Sequence, residues 1–400
     1  MTPADALYDR FERATAALPS PVGIVDLASF DANADVLVAR AAGKPLRLAS
    51  KSVRNREALR RVLARPGWRG ILAYTLPEAL WLTGSGVTDD AVVGYPTADR
   101  VAIATLAADE RAAATVTLMI DDPAQLDLVD SVVGPTRRPT IRVCLELDAS
   151  WRPSKQVHVG VRRSPVHGAA QAGALAAEIV KRPGFRLVGM MSYEAQIAGL
   201  GDAPPGRPLR AVAIRLMQSR SQKDLWERRQ RAVAAVREHA ELEFVNGGGT
   251  GSVAATTTDS SVTEIAAGSG LYGPTLFDGY RAWQPHPSAF FGLSVVRRPT
   301  PGIATVLGGG WVASGEASPT RQPSPVLPAG LELIPLEGAG EVQTPLTGPG
   351  ASRLRIGDRV WFRHAKAGEL CEHLPALHVV EGDAVTAEWP TYRGEGMSFL

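Results

Sequence analysis

Lys51 closes an extended apolar run, Pro45-Leu46-Arg47-Leu48-Ala49-Ser50, and a helix-like stretch opens directly after it with Arg54-Asn55-Arg56-Glu57-Ala58-Leu59. A lysine held where strand gives way to helix, shielded from bulk water, can attack a carbonyl and form a Schiff base. A strand-end lysine on its own is ordinarily a solvated charge. Two later stretches give this one more weight. Val245-Asn246-Gly247-Gly248-Gly249-Thr250-Gly251-Ser252 and Gly268-Ser269-Gly270-Leu271-Tyr272-Gly273 are turns of small residues. Glycines there let backbone N–H groups converge on an anion, and Thr250 and Ser252 add hydroxyl donors.

The elements that must position these groups form a rhythm. Apolar, strand-like runs end near Ser50, Tyr74, Gly94, Ile120, Leu147, Ser192, Asn246 and Ala267. Most are near-continuous in hydrophobicity, as strands buried on both faces should be. Helical patterns lie between them: Arg54 to Leu63, Pro77 to Thr83, Ala98 to Arg111, Pro123 to Val133, Ala169 to Lys181 and Arg210 to Ala240. Eight βα units in about 230 residues predict a (β/α)₈ barrel, with an open doubly wound sheet as runner-up. Lys51 then follows strand one, and the glycine turns follow strands seven and eight, where such barrels commonly build a phosphate cup.

Upstream, residues 3–18 read as an amphipathic helix with Leu7, Phe11 and Leu18 on one face. Val22–Leu27 reads as a short strand, and Ser29 or Asp31 as the cap of the next helix. After Tyr280 helical periodicity gives way to glycine, proline and short alternating runs, the pattern of an all-β domain. The organisation read from the sequence is residues 1–27 as a helix and a strand that joins the β domain, 28–280 as the barrel, and 281–400 as the β-rich domain.

A Schiff-base lysine beside a phosphate cup indicates pyridoxal 5′-phosphate (PLP) or a phosphorylated sugar. Sugar aldolases of this kind usually carry the lysine on a later strand, so position one favours PLP. The motifs Val25-Asp26-Leu27 with Asn33, Arg47-Leu48-Ala49-Ser50-Lys51, His158-Val159-Gly160-Val161, Gly189-Met190-Met191-Ser192-Tyr193, Gly247-Gly248-Gly249-Thr250-Gly251, Ala267-Gly268-Ser269-Gly270-Leu271-Tyr272 and Gly357-Asp358-Arg359-Val360 run through nearly the whole chain. In this order they resemble the fold-type III PLP enzymes, in the branch of D-threonine aldolases and D-serine dehydratases, with the alanine racemases more distant. The resemblance implies that Lys51 carries the internal aldimine. It implies that Gly248, Gly249, Thr250, Gly268, Ser269 and Tyr272 hold the phosphate, and that Tyr193 lies beside the cofactor ring. It also implies that the β domain closes the site across a homodimer interface.

Two places depart from that pattern. The family often has an arginine bonding the cofactor's phenolic oxygen where this chain has His158, with Arg162 and Arg163 close behind. Its metal-binding His-X-Asp or His-X-Cys pair is here His364-Ala365-Lys366, and a lysine ammonium has no lone pair to give. His364 and Cys371 are the candidate ligands left for a rearranged divalent site, and the reading assigns no metal. His364 is instead a candidate base, with His373 beside it in the sequence. The cluster Arg228-Arg229-Arg231 reads as a solvated helix face.

Composition narrows the classes. Forty-three basic against 41 acidic residues, a net charge of +2, argue against nucleic-acid and membrane partners. Two cysteines suggest no disulfide framework, and the N-terminal stretch has no apolar core of a signal peptide. The expectation is a cytoplasmic PLP-dependent lyase acting on an amino acid, by aldol cleavage or dehydration of a D-3-hydroxy amino acid through the Lys51 aldimine. The alternatives are a racemase using Lys51 and Tyr193, and a non-catalytic PLP-binding protein.

Overall fold

The structure, a computed structural model, describes residues 2–316 and 318–400. It divides into two compact units. One contains Val36–Lys51 and Leu59–Gly268 with Phe399–Leu400; the other contains the chain up to Asp35, Ser52–Ala58 and Ser269–Ser398.

The first unit is a closed barrel of eight parallel strands. In chain order these are Leu46–Ala49, Trp68–Ala73, Ala91–Val93, Val116–Ile120, Ile141–Glu146, Phe185–Ser192, Phe244–Gly247 and Glu264–Ala267. Every strand expected from the sequence is there. The barrel closes where strand eight pairs with strand one, Ile265 against Leu46 and Ala267 against Leu48. Inside, Leu72, Val92, Met119, Cys144, Val188, Met191 and Phe244 form one core. Phe244 crosses this core over Gly189, where an added Cβ would lie 2.2 Å from the ring, so strand six needs a glycine there.

Charges are also built into the interior. Arg47 is fully buried. Its Nε donates to Glu264 Oε1 at 2.5 Å and its Nη1 to Asp90 Oδ1 at 2.9 Å. Such a group need not stabilise the fold, but removing one partner leaves a buried charge at a cost of about 3–5 kcal/mol.

Three local expectations are corrected. The helix expected over Ala98 to Arg111 is two, Arg100–Ala107 and Glu110–Thr115, because Asp109 caps a new start with its carboxylate on the Arg111 and Ala112 amides. The helix expected to be capped by Ser29 or Asp31 begins earlier, at Leu27. Of the arginine cluster, Arg231 is exposed as expected, but Arg228 and Arg229 are not. Arg229 is fully buried, with Nη2 3.0 Å from Glu194 and Nη1 3.0 Å from Asp259. Arg228 donates to the carbonyls of Asp148 (2.6 Å), His167 (2.9 Å) and Ser150 (2.9 Å). Both lie in register with the buried Leu225, Ala232 and Val236, so helical periodicity overrides charge.

In the second unit, strand Val22–Asp26 pairs antiparallel with Ala289–Thr300 and parallel with Ala376–Glu381, within a nine-stranded sheet among the described residues. Helix Pro3–Ala14 starts from a Thr2–Asp5 capping box. It lays Phe11 against Phe290 (5.0 Å between centroids) and Trp361 (5.4 Å). Among the described residues, no helix is long and apolar enough to cross a membrane.

Candidate active site

The groups that could act sit where barrel strands end. Strand one stops at Ala49, and a 3₁₀ turn, Ser50–Ser52, carries Lys51 out half-buried. Ser50 pins that turn by donating to the Leu72 carbonyl at 3.1 Å. Tyr95 stands two residues beyond strand three, and Tyr193 directly follows strand six. Lys51 Nζ donates to the Tyr95 hydroxyl at 2.7 Å. The same ammonium lies 5.3 Å from the Tyr95 ring centroid and 6.0 Å from that of Tyr193. The Arg163 guanidinium faces the same two rings, at 5.5 and 5.9 Å. Two cations therefore share one pair of phenols, an arrangement of about 0.5–1 kcal/mol per exposed contact and more where water is excluded.

That sharing sets the two tyrosines apart. Burial opposes ionisation of Tyr95, but the charge and hydrogen bond of Lys51, with Arg163 behind them, outweigh it and hold its phenol below the ordinary value. Burial, with Tyr95 adding to it, pushes Tyr193 up to about 12. At the end of strand five, burial and the nearby Asp121 push Glu146 up to about 7, while Arg163 pulls the other way. Tyr95, Arg163 and Glu146 carry the polar character of this mouth, and the sequence reading assigned none of them a role. Gly94-Tyr95-Pro96 repeats the strand-end tyrosine seen at Tyr193, which was the available signal.

The glycine turn after strand seven is compact. Gly248 has φ +79, and a Cβ there would meet Ile265 Cγ2 at 2.8 Å, so only glycine fits without strain. Its N–H is committed to the buried Glu194 carboxylate at 2.9 Å. The Gly249 N–H rests on Ser252 Oγ at 3.2 Å, and the Gly268 N–H on Thr250 Oγ1 at 3.2 Å. These are long bonds to hydroxyls, which an anion can replace while the hydroxyls turn to donate to it. A Cβ on Gly249 would come within 3.1 Å of the Tyr193 ring. The cradle thus abuts one of the rings that Lys51 faces, and the donor set fits a phosphate ester with a carbonyl reaching toward that lysine.

Other expected site residues fall elsewhere. His158 sits in the hairpin strand Val157–Val159, and its Nε2 lies 3.0 Å from the Val161 carbonyl. Arg163, not His158, meets the two tyrosines. The remaining four belong to the second unit. Ser269 is half-buried in the turn after Gly268. Tyr272 is fully buried, and its hydroxyl donates to the Val53 carbonyl at 3.1 Å. Cys371 is buried with its thiol 3.3 Å from the same carbonyl, and burial pushes that thiol up to about 12. His364 packs edge-on to Tyr272, 6.3 Å between centroids. Burial, then the neighbouring Arg363 charge, push His364 down to about 3, and neither ring nitrogen has a well-formed hydrogen bond. Lys366 donates to Ser314 Oγ at 3.1 Å. Among the described residues, no group of three or more His, Cys, Asp or Glu side chains is placed to hold a metal ion.

Comparison with known proteins places this geometry. The family model described as alanine racemase, N-terminal domain, matches residues 25–275. No curated protein matches the sequence. Among solved structures, D-threonine aldolase from Filomicrobium marinum is similar with a TM-score of 0.77 and 20% identity, covering 96% of each chain. D-threo-3-hydroxyaspartate dehydratase from Delftia sp. HT23 gives 0.71 and 19%, covering 94% of this chain and 97% of its own. Histidine racemase from Leuconostoc mesenteroides subsp. sake gives 0.55 and 14%, over 86% and 88%. At these identities the shared property is the fold. The chain belongs to the alanine racemase N-terminal domain family, as the resemblance to fold-type III PLP enzymes implied.

Proposed function

We propose that this family member is a PLP-dependent lyase that cleaves or dehydrates a D-3-hydroxy amino acid. The observation that carries the reading is Lys51 at a barrel mouth, bonded to Tyr95 and faced by Tyr193, with a glycine cradle against the same ring. In support of a lyase, D-threonine aldolase and D-threo-3-hydroxyaspartate dehydratase match at TM-scores of 0.77 and 0.71 over at least 94% of the chain. A homodimer is taken from the sequence resemblance and a cytoplasmic location from the cysteine content and N-terminal composition, and no metal is invoked.

PLP, when bound, supplies a carbonyl for the lysine and an electron sink for bonds breaking at the substrate Cα. In this chain Lys51 would hold the cofactor covalently. Gly249, Thr250 and Gly268 bind its phosphate, while Gly248 shapes the turn through Glu194. Tyr193 would bound the space for its ring, and Arg163 keeps positive charge over both phenols. Tyr95 accepts the Lys51 hydrogen bond and has the more acidic phenol of the two. It is the group placed to pass a proton to and from the Lys51 amine. His364, neutral and buried, takes the role of a packing residue.

A second reading is racemisation, favoured by the family to which residues 25–275 belong. Burial holds the Tyr193 phenol up at about 12, so it stands protonated near neutral pH and starts as a proton donor.

The test is an absorption spectrum of the protein with PLP, before and after borohydride. A visible-edge band that borohydride bleaches, with the label on Lys51, supports the reading. Release of glycine and aldehyde, or of an oxo acid and ammonia, from D-threonine or D-serine then separates the two lyase routes. Loss of substrate chirality without product marks a racemase. A protein that takes up no PLP refutes both.

A further inference from the structure

The loop after strand five folds into a hairpin, Trp151–Ser154 against Val157–Val159, and returns toward the helix Ala169–Lys181. Between hairpin and return lies a hollow of about 760 Å³, within the size range of small-molecule sites. Arg152, Lys155, His158, Arg162, Arg163 and His167 all line it, and no acidic residue does. Arg152 is balanced by an ion pair with Asp148. Arg163 spends its charge on the rings of Tyr95 and Tyr193. Lys155 and Arg162 have no ion pair among the described residues. The four fixed cations Arg152, Lys155, Arg162 and Arg163 around one concavity repel one another, and an anion entering it relieves that repulsion. Arg163 borders both places: it lines the hollow, and its guanidinium faces the same two rings as Lys51.

We propose that this hollow binds the second acid group of an acidic amino acid, a carboxylate at the far end of the substrate's side chain, with Lys155 and Arg162 as its specificity-determining residues. The proposal rests on the reading of Lys51 as the amino-acid site and narrows the substrate class of that site. A neutral or apolar side chain gains nothing from these cations. A side-chain acid exchanges hydration for two unmatched charges.

Aspartate and asparagine separate the charge from the shape, because the two differ at the far end by acid against amide. Neither carries a β-hydroxyl, so neither lyase reaction runs on them, and racemisation would interconvert the D and L forms without changing the acid–amide comparison. Calorimetric titration of the PLP-loaded protein with both, as D and L forms, is expected to give aspartate at least about fivefold tighter than asparagine. The ratio should shrink as salt rises, since the cations are exposed and screened. In the double variant Lys155→Gln/Arg162→Gln the ratio should fall to about one. The charge-keeping pair Lys155→Arg/Arg162→Lys should restore it, which excludes a folding defect as the cause. Arg111→Gln, on an outer helix, should leave it unchanged. Equal affinities in the wild-type protein, or a ratio that survives the double variant, overturn the proposal. The titration is repeated without added PLP. A protein that takes up no PLP removes the function proposed above, whereas an aspartate preference that persists there and is lost in the double variant upholds the acid site.

Discussion

The two units each gather a tyrosine with residues that sequence alone would rate as reactive, and they treat them in opposite ways. In the barrel unit, Lys51 and Arg163 stand over Tyr95 and Tyr193, with only part of the cluster withdrawn from water. Charge there shifts proton affinities apart, lowering Tyr95 and leaving Tyr193 high. In the β unit, Tyr272, Cys371 and His364 are buried together, and burial keeps all three neutral. Residue type is the same kind of evidence in both places; the solvation of the charged form decides which set can do chemistry near neutral pH.

The hardest break of this contrast is Lys51→Ala. It should abolish borohydride-fixed cofactor and lower kcat by at least about 10³-fold, because nothing replaces the amine. Retention of a bleachable band would put the Schiff base on another lysine. Tyr95→Phe comes next. It keeps the ring under both cations and removes the hydroxyl that Lys51 bonds, so kcat/KM should drop about 10²-fold with the cofactor still bound. A loss no larger than that of Tyr193→Phe would erase the distinction drawn between the two phenols.

Glu146 gives the barrel mouth its own pH signature. Its folded value of about 7 lies above the ordinary 4.5. The folded state therefore holds the proton more tightly, and stability falls as pH rises from 4.5 to about 7. The bound on that loss is about 3 kcal/mol from the size of the shift. Glu146→Gln should remove it, so its urea midpoint should gain on wild type across that window and level off above it. A parallel pair of midpoint curves would show that Glu146 titrates normally. A smaller effect belongs to Gly249→Ala. Its methyl would meet Ala198 at 3.0 Å and the Tyr193 ring at 3.1 Å. Displacing the ring by a few tenths of an ångström should weaken PLP affinity about tenfold, measured by fluorescence titration.

What could be read from the sequence follows the same division. The eight barrel strands were legible because a strand buried on both faces leaves a continuous apolar run. Lys51 and the glycine turn were legible because they sit at fixed places in that rhythm, and Tyr193 came only from the family resemblance. The loop after strand five was not. It has no periodicity, so nothing in the spacing showed that Arg163 rather than His158 reaches the tyrosines. Arg228 and Arg229 were misread because charge was weighed before helical register, although Leu225, Ala232 and Val236 mark that face as inward. The burial of His364 was not legible either, because residue type carries no information on burial.

His364→Leu makes that last point measurable. The histidine is enclosed, with both ring nitrogens lacking a well-formed hydrogen bond. Its folded value of about 3 lies below the ordinary 6.5. The folded state thus refuses a proton that the unfolded chain accepts. Stability from this group is complete above pH 6.5 and is lost as pH falls toward 3, by about 2 kcal/mol at pH 5. Leucine cannot be protonated, so the variant should resist acid better than wild type. Near pH 7.5 the two should agree within about 1 kcal/mol, since the lost ring contact with Tyr272 is offset by removing two unsatisfied nitrogens. Turnover near neutral pH should change by no more than about twofold, because a histidine held neutral to about pH 3 is not the group that titrates in catalysis. A large loss of kcat, with the acid resistance unchanged, would return His364 to the reaction and dissolve the contrast between the two units.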